Sequence, residues 1–204
     1  MVFYPVSIVN QSIKLETNSK NIHQELIDRC RQNDRNAQFE LYKIFYKPMY
    51  NTSYRILNNS AEAEDVMQES FLTAFGKLDS YTGEGSFAGW LRRIVVNNSI
   101  DQLKKRAVNL SLDDLRNQPA EEESTENHHS IDYKIAEIKA ALQELPDEHR
   151  IIISLFLFEG YDHDEISQIL KISNNTSRTR YSRARKKLLY VLSEQRSIKM
   201  FHPN

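Results

Sequence analysis

The stretch DHDEISQILKISNNTSRTRYSRARKKL, residues 162–188, decides the fold. Asp162 and Glu165 stand at capping-box spacing, so their side chains can satisfy backbone amides that a helix start leaves unpaired. Ile166, Ile169 and Leu170 then make one apolar stripe. The connector Lys171-Ile172-Ser173 is short, and Ser173 is a good N-cap for a second helix with Tyr181, Ala184 and Leu188 on its inner face. That second helix carries Arg178, Arg180, Arg183, Arg185, Lys186 and Lys187 without one acidic residue, a surface built for a polyanion. Two helices with so brief a joint match the DNA-binding form of the helix-turn-helix, in which the head of the second helix meets base edges while cations along it grip phosphates. The candidate duplex-binding set is Asn174, Asn175, Thr176, Arg178, Thr179, Arg180, Ser182, Arg183 and Lys186. Within it Asn174, Asn175, Arg178 and Thr179 are placed to read bases, and Arg183 and Lys186 to anchor phosphates. A run of basic residues on a helix is more commonly a solvated face; the cap, turn and helix around this one argue for the DNA reading.

The 204 residues fit one domain or two small ones, with apolar content ordinary for a folded soluble protein. The formal net charge of −1 predicts no partner by itself, so the information lies in how the signs are segregated. A single cysteine, Cys30, excludes an internal disulfide and suits a reducing compartment. The segment 1–9 lacks a basic leader and a long apolar core, so neither signal peptide nor membrane span is expected and the location is cytoplasmic.

Residues 107–131 form an obvious break. Asp113, Asp114, Glu121, Glu122, Glu123 and Glu126 are opposed only by Arg116, a composition that buries little and predicts a flexible acidic linker. As a coil it would span roughly 25 to 30 Å, enough for the units it joins to touch one DNA at separate places. After it, 132–195 reads as a four-helix C-terminal domain. Ile135, Ile138, Leu142 and Leu145 stripe a helix ending at Pro146. From Asp147 to Glu159 the chain is apolar on nearly every side, which predicts a central buried helix stopped by Gly160. The helix-turn-helix completes the unit.

Residues 20–106 also read as helical. Ile22, Leu26 and Cys30 stripe one helix; Phe39, Tyr42, Phe45 and Tyr46 stripe the next, with Pro48 marking a kink or restart before 49–57. Asn59 and Glu62 stand at capping-box spacing before a helix that turns Ala63, Val66, Met67, Ser70, Phe71, Ala74 and Leu78 inward. Its outer side gathers Asp65, Gln68, Glu69 and Leu72, an acidic ridge with an apolar tip that suits a partner protein as well as plain solvent. After a loop holding Gly83 and Gly85, a helix over 87–106 buries Phe87, Leu91, Ile94 and Val95. Its other face aligns Trp90, Arg93, Asn97, Asp101 and Lys104, flanked by Arg92, Lys105 and Arg106. An aromatic, cations, an amide and a carboxylate in line suit unpaired nucleic acid, where bases stack on rings and phosphates follow a basic groove. Trp90 by itself reads more readily as core. The fold class is therefore all-α: two small helical domains on a flexible acidic linker.

The runs AEDVMQESF (63–71) and FAGWL (87–91) with Asn97 and Asp101, then Leu145-Pro146, Phe158-Glu159-Gly160-Tyr161 and SRARKKL (182–188), resemble the two-domain sigma factors of bacterial RNA polymerase, the extracytoplasmic-function type in particular. The resemblance covers about Glu25 to Leu192. It implies that Asp65, Gln68, Glu69 and Leu72 dock on a coiled coil of the largest subunit of core RNA polymerase. It implies further that the face with Trp90, Arg93, Asn97, Asp101 and Lys104 reads and melts the minus-10 element as single-stranded DNA, and that 173–187 reads the minus-35 element as duplex. The linker resembles the segment that threads through polymerase; its acidity fits mimicry of nucleic acid and a solubilising spacer equally. An anti-sigma factor is an implied partner, without direct membrane insertion.

Asn174-Asn175 departs from the acidic-glycine pair usual in the family, and Ser177 and Tyr181 stand where aliphatic residues are common. The asparagines could pair with adenine or serve as caps. No cofactor is expected: no Walker loop occurs, His128-His129 lacks the spacing of a metal site, and no nucleophile and base can be assembled, so the chain reads as a non-enzyme. Cys30 reads as core rather than as a redox sensor. Two rival readings remain. An autonomous helix-turn-helix regulator would bind a palindromic operator tightly as a dimer. A metal-dependent nucleic-acid enzyme would need a carboxylate cluster, and the carboxylates here lie in the linker or on solvated faces.

Overall fold

The computed structural model describes residues 23–110 and 130–201, and every regular element in them is helical. Helix α1 covers 23–31 and α2 covers Arg35–Leu57; α3 is Ser60–Gly76, followed by a 3-10 turn at Leu78–Ser80, and α4 is Phe87–Leu110. The second half holds α5 (Ser130–Gln143), α6 (Asp147–Ile153), a π-helical turn (Ser154–Phe158), α7 (His163–Leu170) and α8 (Asn174–Phe201). Helix thus runs four residues beyond 106 and begins at 130. The acidic residues between 111 and 129, His128-His129 and Ile22 lie outside the described residues.

Local chemistry sets the ends of these helices. Asp34 caps α2 by accepting from the Asn36 and Ala37 amides, and Asn58 closes it in the left-handed region with φ 53°. Between those caps α2 is one uninterrupted helix that includes Pro48. Pro48 and Ile44 both lie on its exposed side, where water can satisfy the carbonyl that the missing proline N–H leaves. The expected restart at 49 therefore does not occur. The buried stripe of α2 is Ala37, Leu41, Phe45, Met49, Ile56 and Leu57; Phe39 is 60% exposed and Tyr46 is exposed as well. The aromatic spacing pointed one position off, because Phe45 shares a stripe with Leu41 and Met49 rather than with Phe39. Asn59 caps α3 through the Glu62 amide, and Ala63, Val66, Met67, Ser70, Phe71 and Ala74 face inward as expected.

Helices α1 to α4 enclose one core, from Leu26, Ile27 and Cys30 through Leu41, Phe45 and Met49 to Met67, Phe71, Phe87, Leu91 and Val95. Buried serines tie α4 to its neighbours. Ser53 and Ser99 share a hydrogen bond of 3.0 Å, and the Asn98 amide donates to Ser70 Oγ at 3.0 Å.

The second core joins both halves of the chain. Ile56, Val96 and Ile100 from the first half pack with Ala141, Leu142, Leu145, Ile152, Ile153, Leu155, Ile166, Ala184, Leu188 and Val191. Two expectations for the second half are corrected. In α5, Ile138 is exposed while Glu137, Ala141 and Leu142 are buried. The run from 147 is one continuous helical stretch that ends before Gly160 (φ 76°) as expected, but α6 passes directly into the π turn, which leaves Leu157 and Phe158 exposed. A turn with i to i+5 bonds rotates the last apolar residues out of the stripe that a 3.6-residue repeat would give them. Arg150, in the middle of the apolar run, is itself buried.

Candidate nucleic-acid interface

The helix-turn-helix forms as its sequence dictates. Asp162 Oδ1 accepts from the Asp164 and Glu165 amides, each at 2.8 Å, and Glu165 Oε2 accepts from the Asp162 amide at 2.9 Å. Lys171 turns the chain in the left-handed region with φ 55°. Ser173 Oγ then accepts from the Thr176 amide at 3.1 Å and caps α8. Beneath the joint, His163 stacks on Phe156 (centroids 4.8 Å) and its Nδ1 pairs with the buried Ser177 hydroxyl at 2.9 Å. Tyr181 packs on Phe156 with centroids 4.4 Å apart. Ser177 and Tyr181 thus support the joint through a polar and an aromatic contact.

Above that support, Asn175, Arg178, Thr179, Ser182, Arg183 and Lys186 are exposed, and Asn174, Thr176 and Arg180 are half-buried. All nine candidates project from the first four turns of α8. Several of them are already engaged: the Thr176 hydroxyl pairs with Ser173 Oγ at 2.7 Å and the Thr179 hydroxyl donates to the Asn175 carbonyl at 2.9 Å. Asn174 Nδ2 donates to Asp164 Oδ1 at 2.5 Å, and its Oδ1 accepts from Arg178 Nε at 2.8 Å. Arg180 lies 4.0 Å from Glu148, an exposed pair of little energetic weight.

On α4, Arg93, Asn97, Asp101 and Lys104 are exposed, with Lys104 Nζ 3.1 Å from Asp101 Oδ1. Trp90 is half-buried against Tyr81 and Phe87, each with ring centroids 5.6 Å away. It belongs to the core edge at the head of the row and is partly open to solvent. Tyr81 also fixes the preceding loop: its hydroxyl donates to the Gly85 carbonyl at 2.9 Å, and its carbonyl accepts from Arg31. Gly83 and Gly85 both take positive φ there, a conformation that side chains with a Cβ rarely adopt. On α3, Asp65, Gln68 and Glu69 are exposed and Leu72 is 74% exposed, so the ridge and its apolar tip stand clear of the core.

Sequence spacing gave no sign of the polar contacts between the halves. Glu159 is buried with its side chain 2% exposed. It accepts from Arg55 Nη2 at 2.5 Å and from Thr52 Oγ1 at 3.1 Å, while Arg92 Nε lies 3.3 Å from Glu159 Oε2. Arg150 donates to the Leu145 carbonyl, to the Ile56 carbonyl of the other half at 3.1 Å, and to Asp147 at 2.7 Å. Tyr161, beside Glu159, has its phenol pushed up by burial and by that carboxylate. Buried arginines and glutamates need partners, and those that cross between the halves lie far away in sequence, beyond the reach of any periodicity.

Among the described residues no His, Cys, Asp and Glu group could hold a metal ion, and no helix is long and apolar enough to cross a membrane.

Residues 41–117 match the family described as Sigma-70 region 2, and residues 135–188 match Sigma-70, region 4. The chain is 32% identical over 161 residues to the ECF RNA polymerase sigma factor SigE of Mycolicibacterium smegmatis, covering 78% of this chain but 62% of that longer relative. It is 30% identical over 178 residues to the ECF RNA polymerase sigma factor SigW of Bacillus subtilis, covering 79% of this chain and 92% of the relative. Among solved structures, the sigma factor RpoE bound to the anti-sigma factor NepR from Bartonella quintana shares the fold, with a TM-score of 0.60 and 23% identity over 76% of this chain and 95% of that one. CnrH in complex with the cytosolic domain of CnrY gives a TM-score of 0.51 at 20% identity, over 83% and 96% of the two chains. Two ordered family matches on a helical pair, one carrying an exposed basic recognition helix, place this chain in the extracytoplasmic-function sigma factors, the subunits that bind core RNA polymerase and direct it to begin transcription.

Proposed function

We propose that the promoter is read by two faces. The exposed row Arg93, Asn97, Asp101 and Lys104 on α4, headed by Trp90, takes unpaired bases and phosphates of the minus-10 strand. The first four turns of α8 read the minus-35 duplex. The ridge Asp65, Gln68, Glu69 and Leu72 docks on core polymerase, an anionic rim around an apolar anchor being suited to a basic, partly apolar helical partner. The domains would run over 20–106 and 132–195, with 107–131 as connector. The protein is no enzyme itself; it acts in the cytoplasm, where polymerase works, and RNA synthesis belongs to polymerase. An anti-sigma factor is the regulator this reading favours, since similar folds occur in complexes with such proteins.

The observation that carries the assignment is the 74% exposure of Leu72 among carboxylates, together with two separate exposed polar rows on α4 and α8. Extruding bases costs a few kcal/mol, which contacts along α4 must offset. In transcription with core enzyme, Asp101→Ala should slow open-complex formation, and Arg178→Ala should weaken upstream recognition while leaving melting on a pre-opened template intact. Normal initiation by both variants would refute the assignments.

A further inference from the structure

Glu159 is the residue that neither promoter face uses, yet it is among the most fully engaged side chains in the protein. Its buried carboxylate comes from the turn between the π-helical segment and α7, and its ligands come from the other half: Thr52 and Arg55 on α2 and Arg92 on α4. Two guanidiniums and a hydroxyl meet one carboxylate, so the three ligands carry a surplus positive charge. The fit is also incomplete, since Arg92 Nε is buried with no hydrogen-bond partner although it lies 3.3 Å from Glu159 Oε2. Planar guanidinium forks and a hydroxyl around one oxyanion are the donor set that holds a phosphodiester as readily as a carboxylate. Arg92 stands one residue before Arg93 and five before Asn97, on the helix that carries the minus-10 row.

We propose that Thr52, Arg55 and Arg92 form a phosphate site for promoter DNA that the chain's own Glu159 fills while the two halves are packed together. Glu159 then acts as a self-mask: the closed arrangement withholds two cations from DNA, and parting the halves exposes them next to the strand-reading row. This rests on the promoter-reading assignment of α4. The ionic contact is exchangeable because a phosphate offers the same geometry, while parting the halves also exposes the apolar seam of Ile56, Val96 and Ile100, which polymerase and DNA binding must offset. Arg150, by contrast, donates to the Ile56 carbonyl, a neutral acceptor, and holds the same seam without presenting a site.

The test uses the full chain, a fluorescein-labelled duplex of arbitrary sequence, and anisotropy titrations over a series of potassium chloride concentrations. Each phosphate neutralised adds about 0.9 to the slope of log affinity against log salt. Glu159→Gln should enlarge the radius of gyration in small-angle scattering, tighten binding several-fold at low salt and steepen the slope by roughly 1 to 2. Glu159→Gln with Arg92→Gln should stay expanded but lose about 0.9 of that slope. Arg92→Glu, which sets a second carboxylate against Glu159, should expand the chain without the gain in slope. If the single and double variants share one slope, or if Glu159→Gln binds as the parent does, the phosphate site is refuted. A second measurement does not need the Glu159 variant to fold. In holoenzyme on a promoter located by transcript-start mapping, Arg55→Gln and Arg92→Gln should each reduce the salt slope of open-complex formation by about 0.7 to 0.9, and unchanged slopes would overturn the proposal. Failure of the family function would look different: no specific transcription by the parent chain with core enzyme, whatever the slopes.

Discussion

Arg178, proposed to read bases, is held in place within the protein itself. Asp164 holds the amide of Asn174, and Asn174 in turn holds Arg178 Nε, so a relay runs from the head of α7 to the position on α8 proposed to read bases. Both ends of the Asn174 side chain hydrogen-bond within the protein, an arrangement suited to positioning Arg178, and the N-cap of α8 is Ser173. Pre-aiming matters because an exposed arginine otherwise loses side-chain freedom on binding. Asn174→Ala should therefore weaken minus-35 binding by about 0.5 to 1.5 kcal/mol, the usual net worth of a hydrogen bond. In an Arg178→Ala background the same change should cost almost nothing. A double-mutant cycle in gel-shift titrations with holoenzyme reads the coupling, and strict additivity would mean that the relay does not act. Cys30 is a second residue whose environment sets its chemistry. It is buried among Leu26, Ile27 and neighbours, and desolvation pushes its thiol up to about 11. At pH 8 the reactive thiolate is scarce and shielded, so iodoacetamide should label the native chain far more slowly than the denatured one. Comparable rates would show that α1 opens readily.

At the scale of elements, caps and stripes carry most of the local structure. The reciprocal bonds of Asp162 and Glu165 start α7, a helix of eight residues that could not persist on propensity alone. Asp162→Ala leaves two amides without their acceptor and should lower stability by about 0.5 to 2 kcal/mol in urea unfolding. An unchanged midpoint would mean that tertiary packing alone fixes this helix. This capping box, the Ser173 cap, the inward face of α3 and the exposed rows of α4 and α8 were legible in the sequence, because each depends on neighbours within four residues. The misreadings were those of contacts outside that range. Phe39 and Ile138 look like stripe members by hydrophobicity, but the opposing surface of the core selects Leu41 and Ala141 instead. Pro48 signals a break to any local rule, yet its position on the solvent side lets α2 pass through it. Arg150 and Glu159 read as ordinary charged residues until their partners on α2 and α4 are known. The candidate site was legible to the same degree: which residues face out follows from helical spacing, whereas the bond from Asn174 to Asp164 depends on how two helices cross.

For the whole molecule, the decisive feature is a core that ignores the boundary between the two family matches. Ile56, Val96 and Ile100 are fully or nearly buried against α5, α6 and α8, and the seam is reinforced by Arg150 and by Glu159. The halves that the sequence reading sets on a flexible acidic connector here lie against each other. Such a seam makes each half a source of stability for the other, since parting them exposes apolar surface at about 25 cal/mol per Å². It also couples their unfolding. Trp90, the sole tryptophan, sits in the first core and reports on it alone. Hydrogen exchange at α6 to α8 reports on the second. In urea both probes should show one coincident transition. Ile56→Ala removes a side chain with no exposed surface and should destabilise by about 2 to 5 kcal/mol. Because Ile56 is rooted in α2 but packs in the second core, both transitions should shift to lower urea. A shift in the Trp90 signal with the exchange of α6 to α8 unmoved, or two separate midpoints in the parent chain, would mean that the halves are thermodynamically independent and meet only in passing. A common shift would instead show that the halves unfold as one unit, so that any opening on polymerase needs binding free energy from outside the seam, for which the ridge proposed on α3 is the candidate source.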